Sequence, residues 1–214
     1  EQKKHILGYV GALFTLFIFF IIASCFYKLF KINYVSYYWL CFTVLTGIWE
    51  YTYITRRKYI STKSQDLISK QEHVWFKKYP LNIILPHNTS IIFYSEYGAY
   101  ADREYMSNKD NWSIIIEGSH CIFCGIFSLF ALYFNYMRYS KCFYITMSIA
   151  MGTQLMNSIL YMSEYCIQTN NHNSVNYNNN SFPSGKYFSK RPFMYINIFW
   201  TLMPSYILCY FIFH

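Results

Sequence analysis

Acidic side chains interrupt otherwise apolar stretches of this chain at Glu50, Glu117 and Glu164. An ionisable residue within a membrane-spanning helix costs about 2.5–3.5 kcal/mol even on lenient insertion scales, so such residues face a bundle interior and usually have a function. The alternative for Glu50 and Glu117 is a place near the headgroups, since each stands close to one end of its apolar segment. Glu117 and His120 are three residues apart and share a helical face, which allows a proton-transfer pair; a histidine bonded to a backbone carbonyl is the plainer alternative. Gln154, Asn157, Tyr161 and Glu164 follow at offsets of three, four and three, a polar stripe that must face protein or water. Interhelical hydrogen bonding, at about 0.6–2 kcal/mol per contact, accounts for such a stripe as well as chemistry does. Asn197, Trp200 and Pro204 share a third face. Pro204 cannot donate to the Trp200 carbonyl, which opens space beside an indole able to stabilise a cation by about 2 kcal/mol or more when water is excluded. An interfacial belt tryptophan is the alternative there.

These residues need helices to position them, and the composition says where those helices lie. Of 214 residues 54% are hydrophobic and only 13% charged, more apolar material than one soluble core requires. Stretches near the 20 residues that span a bilayer occur at 6–30, 34–54, 112–134, 143–165 and 193–213. The expected fold is therefore all-α, a single polytopic membrane domain of about five spanning helices. The first run is longer than a secretory signal core and reads as a retained helix. Two long connections are expected, 56–111 as a loop capping the bundle at the membrane surface and 168–191 as an asparagine-rich loop. The net charge of +8 sits mostly in segments flanking apolar runs, which suits anionic headgroups and argues against nucleic acid as a partner. Cys121 and Cys124 form one CxxC with no second pair, so structural zinc is not expected. No glycine-rich phosphate loop or metal-ligand cluster occurs, and no cofactor is expected.

Several pieces in order along the chain resemble the emopamil-binding protein family, the sterol Δ8–Δ7 isomerases with the EXPERA domain. Gly47-Ile48-Trp49-Glu50 resembles its second-helix carboxylate motif. Glu96-Tyr97-Gly98 through Asp102-Arg103 and Tyr105 resembles the motif before its third helix, with one residue inserted. Ile116-Glu117-Gly118 with Gly125 and Ser128-Leu129, then Gln154 with Leu160-Tyr161 and Glu164, resemble the third and fourth helices. Asn197, Trp200 and Pro204 keep the fifth-helix spacing. The resemblance implies proton transfer by Glu50 and Glu117, cation stabilisation by Trp200 with Asn197 beside it, and a site in the endoplasmic reticulum membrane. Such chemistry is coherent: a ring double bond moves when one carbon is protonated and another loses a proton, work for two carboxylates of opposed protonation in a dry cavity. The chain departs from the family at Thr46, where a histidine is usual, at Asn157, where an acid is usual, and at His120, where a hydroxyl residue is usual.

Two expectations follow from the resemblance. The first is a sterol isomerase acting through a carbocation, with Thr46, His120, Gln154, Asn157 and Tyr161 completing the binding wall. The second, motivated by Thr46 and Asn157, is a non-catalytic protein of the same fold that binds sterols or cationic amphiphilic amines. Either is compatible with a homodimer. A channel or transporter is weaker, because no repeat, pair of broken helices or ring of charges is present.

Overall fold

The computed structural model describes residues 5–102, 111–168 and 192–213. Six α-helices dominate them: α1 (Gly8–Phe26), α2 (Tyr34–Lys70), α3 (Pro86–Tyr100), α4 (Asn111–Tyr136), α5 (Ser140–Gln168) and α6 (Pro192–Phe213). The fold is thus all-α apart from a small antiparallel ladder, in which β1 (His5–Leu7) meets β2 (Lys78–Pro80) with Ile6 opposite Tyr79. Two segments, Gly8–Leu29 and Tyr195–Phe213, are helical, long and apolar enough to cross a membrane; Ile122–Tyr136 is apolar but shorter. The expected 168–191 loop falls almost wholly outside the described residues.

The 56–111 segment corrects the sequence reading, because much of it is helix. α2 runs unbroken for 37 residues, starting where Asn33 Oδ1 accepts from the Ser36 amide at 2.9 Å and ending at Gln71, whose φ of 52° is left-handed. Charges at 56–70 suggested a loop, yet Tyr53, Arg57, Ile60, Ser64 and Leu67 are all buried and recur at offsets of four, three, four and three. That stripe faces α3, and the lysines take the outer side. Ser64 Oγ donates to the Ser95 carbonyl at 2.9 Å across this interface. Pro86 occupies the first turn of α3, where its missing N–H costs nothing. Residues 89–99 of α3 are nearly all buried, so α3 packs within the structure and does not lie flat on its surface.

α2 is the hub. It packs against both α3 and α4, α4 packs against α5, and α5 against α6. Small residues permit the α2–α4 crossing: a Cβ on Gly125 would stand 3.1 Å from Gly47 Cα. α1 is tied at two places. Toward its middle Thr15 Oγ1 donates to the Ile84 carbonyl at 2.9 Å beside Thr89, and near its end Tyr37 Oη donates to the Ala23 carbonyl at 2.7 Å. Leu13, Phe14, Phe17, Ile18 and Ile21 on the same helix are exposed. Glu96 clasps the turn at Val74–Phe76 onto α3, accepting from the Val74 amide at 3.0 Å and pairing with His73 Nδ1 at 2.5 Å.

Gly125→Val should destabilise the bundle by about 1–3 kcal/mol, since the new methyls meet α2 backbone, whereas a Cβ at Gly152 meets nothing within 4 Å. Gly152→Ala is therefore expected to be neutral or slightly stabilising, and thermal unfolding of the two variants in one detergent checks the contrast.

Candidate functional site

One cavity of about 460 Å³ gathers most of the chemistry-bearing residues. α2 supplies Phe42, Thr46, Trp49 and Glu50 to its wall, α5 supplies Gln154, Asn157, Ser158 and Tyr161, and α6 supplies Ile196, Asn197, Phe199 and Trp200. Helical spacing explains the convergence. Thr46 and Glu50 are four apart, Gln154, Asn157 and Tyr161 follow offsets of three and four, and Asn197 and Trp200 are three apart, so each set shares one face. The remaining walls come from Ala12 and Leu16 of α1, Phe93, Tyr94 and Tyr97 of α3, Cys124 of α4, and Trp75.

Glu50 is 7% exposed and lies well inside α2. Tyr94 Oη donates to Glu50 Oε1, so α3 delivers a hydroxyl to a carboxylate that is removed from solvent. A second polar group stands further along the wall: Tyr161 Oη donates to Asp102 Oδ2 at 2.8 Å and is hydrogen-bonded to Tyr97 Oη. Asp102 is also buried, at 5% exposure.

Away from the carboxylates the wall is aromatic. Trp200 stacks on Phe42 with centroids 5.4 Å apart and 19° between planes, and it meets Trp39 edge-on at 4.6 Å. Trp39 also meets Phe199 edge-on at 5.1 Å. Trp200 is thereby built into a box of rings on the cavity wall. Trp39 is fixed in turn, because its Nε1 donates to Gln154 Oε1 at 2.8 Å. Gln154 Nε2 donates to Thr43 Oγ1 at 3.4 Å, so Gln154 both joins α5 to α2 and faces the cavity. Thr46 Oγ1 donates to the Thr43 carbonyl at 3.0 Å, a bond within its own helix.

Seven sequence-selected residues therefore share this cavity: Glu50, Thr46, Gln154, Asn157, Tyr161, Asn197 and Trp200. Glu117 and His120 lie in α4, and Glu164 in α5, but their side chains fall outside the described residues. Tyr94, Phe42 and Trp39 were not singled out from sequence. The spacing of Tyr94 and Tyr97 would have flagged both, had 86–100 been read as helix. Among the described residues no group of three or more His, Cys, Asp or Glu side chains is placed to hold a metal. Comparison with protein families, with curated proteins and with solved structures returned no match.

Removing the Tyr94 hydroxyl takes a donor from a buried carboxylate, so Tyr94→Phe should lower stability by about 1–3 kcal/mol, measured by thermal unfolding. Tyr51→Phe serves as the control, because Tyr51 is exposed and lies outside the cavity.

Proposed function

We propose that this chain is a membrane-embedded sterol isomerase that shifts a ring double bond from Δ8 to Δ7 by proton transfer. The observation that supports it best is the meeting of a buried carboxylate, Glu50, with a box of aromatic rings around Trp200 in one mostly apolar cavity. A fused-ring lipid needs apolar walls, protonation of an alkene needs an acid, and the tertiary cation that results needs electron-rich faces and no water. Glu50 serves as one proton-transfer group. Glu117 is the second, seven residues before Cys124 and thus two turns from the α4 residue on the wall. Trp200 faces the developing charge, Asn197 stands one turn before it, and Gln154, Asn157, Tyr161, Thr46 and His120 orient the substrate. No cofactor takes part.

The membrane setting follows from the same features. In this reading α1, the first half of α2, α4, α5 and α6 span the bilayer, and the exposed aromatic and aliphatic side chains along α1 and α6 meet lipid. At about 1.5 Å per residue, α2 exceeds the roughly 30 Å of hydrocarbon by nearly its second half, which with α3 rises beyond the layer. A multi-pass protein of the endoplasmic reticulum membrane, where sterols are made, fits this arrangement.

Thr46 favours a second reading. Its hydroxyl is bonded within α2, and a threonine there supplies no ionisable partner to Glu50 one turn away. The same cavity would then bind sterols or cationic amphiphilic amines without converting them.

Purified protein given a Δ8-sterol should form the Δ7 isomer, and Glu50→Gln and Glu117→Gln should each slow turnover about 10²–10⁴-fold. Turnover equal to wild type in either variant removes that residue from the mechanism, and binding without turnover in wild type selects the second reading. Trp200→Leu should weaken binding of a cationic amphiphilic amine about 30-fold in equilibrium binding, the loss of one dehydrated cation–π contact.

A further inference from the structure

A second cavity, of about 400 Å³, lies between α1, α2 and α4 and shares no wall residue with the one around Glu50. α1 lends it Phe19 and Phe26, α2 Tyr37 and Val44, and α4 Leu129 and Tyr136, all from the part of each helix nearest the end where α1 and α4 finish and α2 begins. Its floor is buried and its rim is open: Tyr37 is 2% exposed, whereas Phe26, Leu129 and Tyr136 are about half exposed. The Tyr37 hydroxyl donates to the Ala23 carbonyl, so the wall is carbon almost throughout. Cations gather where this groove ends. Lys28 and Lys31 flank Phe30 in the α1–α2 turn, Arg138 follows Tyr136 in the α4–α5 turn, and all three are exposed. The two turns are tied to each other, since Arg138 Nη2 donates to the Leu29 carbonyl at 3.1 Å and the Lys31 amide donates to Asn135 Oδ1 at 2.9 Å. Arg138 stands at a φ of 64°, left-handed backbone that glycine would adopt at lower cost. The stretches that run to this end, 16–48, 118–163 and 197–214, contain no Asp or Glu. The ion pairs among the described residues all fall within 66–96.

We propose that this groove binds one anionic phospholipid of the bilayer, with an acyl chain along Tyr37 and Val44 and the headgroup phosphate meeting Arg138, Lys28 and Lys31. A basic pocket between spanning helices is an arrangement that recognises anionic headgroups, and a guanidinium fork matches phosphate oxygens in particular. Other occupants fit less well. A sterol fills an apolar groove but brings no charge to the cations at its end. A second copy of this chain, inserted in the same sense, would set its own acid-free, cationic end against this one, and like charges repel. The site uses no residue of the Glu50 cavity, so it rests on the membrane setting proposed above and not on sterol chemistry.

The test places an indole at the groove and asks which lipid touches it. Tyr133→Trp puts the reporter on the rim, where Tyr133 is half exposed, and Leu202→Trp puts a control on an exposed site of α6 outside both cavities. Each full-length variant is reconstituted in phosphatidylcholine nanodiscs containing, as a minor component at equal mole fraction, either phosphatidylserine or phosphatidylcholine with brominated chains, which quench indole fluorescence on contact. Brominated phosphatidylserine should quench Tyr133→Trp with an apparent preference of about tenfold or more over brominated phosphatidylcholine, and the two lipids should quench Leu202→Trp equally. Adding Arg138→Gln to the groove reporter should lower the preference about fivefold, the worth of one basic residue near a charged lipid surface, and Arg138→Lys should keep most of it. Equal quenching of Tyr133→Trp by both lipids overturns the site, as does an equal phosphatidylserine excess at Leu202→Trp or an excess that survives joint Lys28→Gln, Lys31→Gln and Arg138→Gln. Quenching at Leu202→Trp alone, by both lipids, means that protein covers the groove and also overturns it. If neither reporter is quenched by either lipid, the membrane setting falls too, whereas turnover of a Δ8-sterol is unaffected by any of these outcomes.

Discussion

A carboxylate in an apolar bundle must be compensated by its neighbours, because an isolated ionised acid in a low-dielectric interior is far less stable than in water. Glu50 meets this constraint through α3, whose Tyr94 donates to it from across the α2–α3 interface. That interface exists because α2 does not stop at the edge of its apolar segment. The buried stripe from Tyr53 to Leu67 continues the helix and gives α3 a surface to pack on. The extension of α2, the placement of α3 and the polarity of the cavity wall are thereby joined in one arrangement.

The aromatic side of the cavity is organised by a different logic, shape and not charge. Trp39 is pinned by Gln154, Trp39 and Phe42 hold Trp200 between edge and face contacts, and Phe199 flanks Trp39. Rings held this way keep their faces at fixed angles. One cavity thus has a hydrogen-bonded, carboxylate-bearing wall and an aromatic wall.

Much of this was legible in the sequence, for a specific reason. Helical faces in α5 and α6 carry polar or aromatic residues at offsets of three and four within apolar surroundings, so spacing alone put Gln154, Asn157 and Tyr161 on one face and Asn197 and Trp200 on another, and the structure brings the two faces to one cavity. The 56–111 segment misled because hydropathy averages over faces. In the second half of α2 exposed Lys and Arg mask a buried stripe that itself contains Arg57, Ser61 and Ser64. Pro86 adds ambiguity, since a proline breaks a helix from within and initiates one when it stands first, as it does in α3. Tyr94 was hidden with the helix that presents it. Trp39 and Phe42 were invisible because an aromatic residue in a chain that is 23% aromatic carries little information until its partners are known.

The division of α2 into two halves also bears on why the site sits where it does. Its first half is bounded by α4 and crosses it closely at Gly47 and Gly125; its second half is bounded by α3. Glu50 comes one turn after Gly47, near the place where one partner helix gives way to the other. A helix that exchanges neighbours leaves incomplete side-chain packing at the changeover, because ridges fitted to one groove do not fit the next. The cavity occupies that gap, with residues of α3 on one side and of α4 and α5 on the other. The space is then a consequence of helix exchange, and Glu50 at the exchange point lines it while sheltered from bulk water.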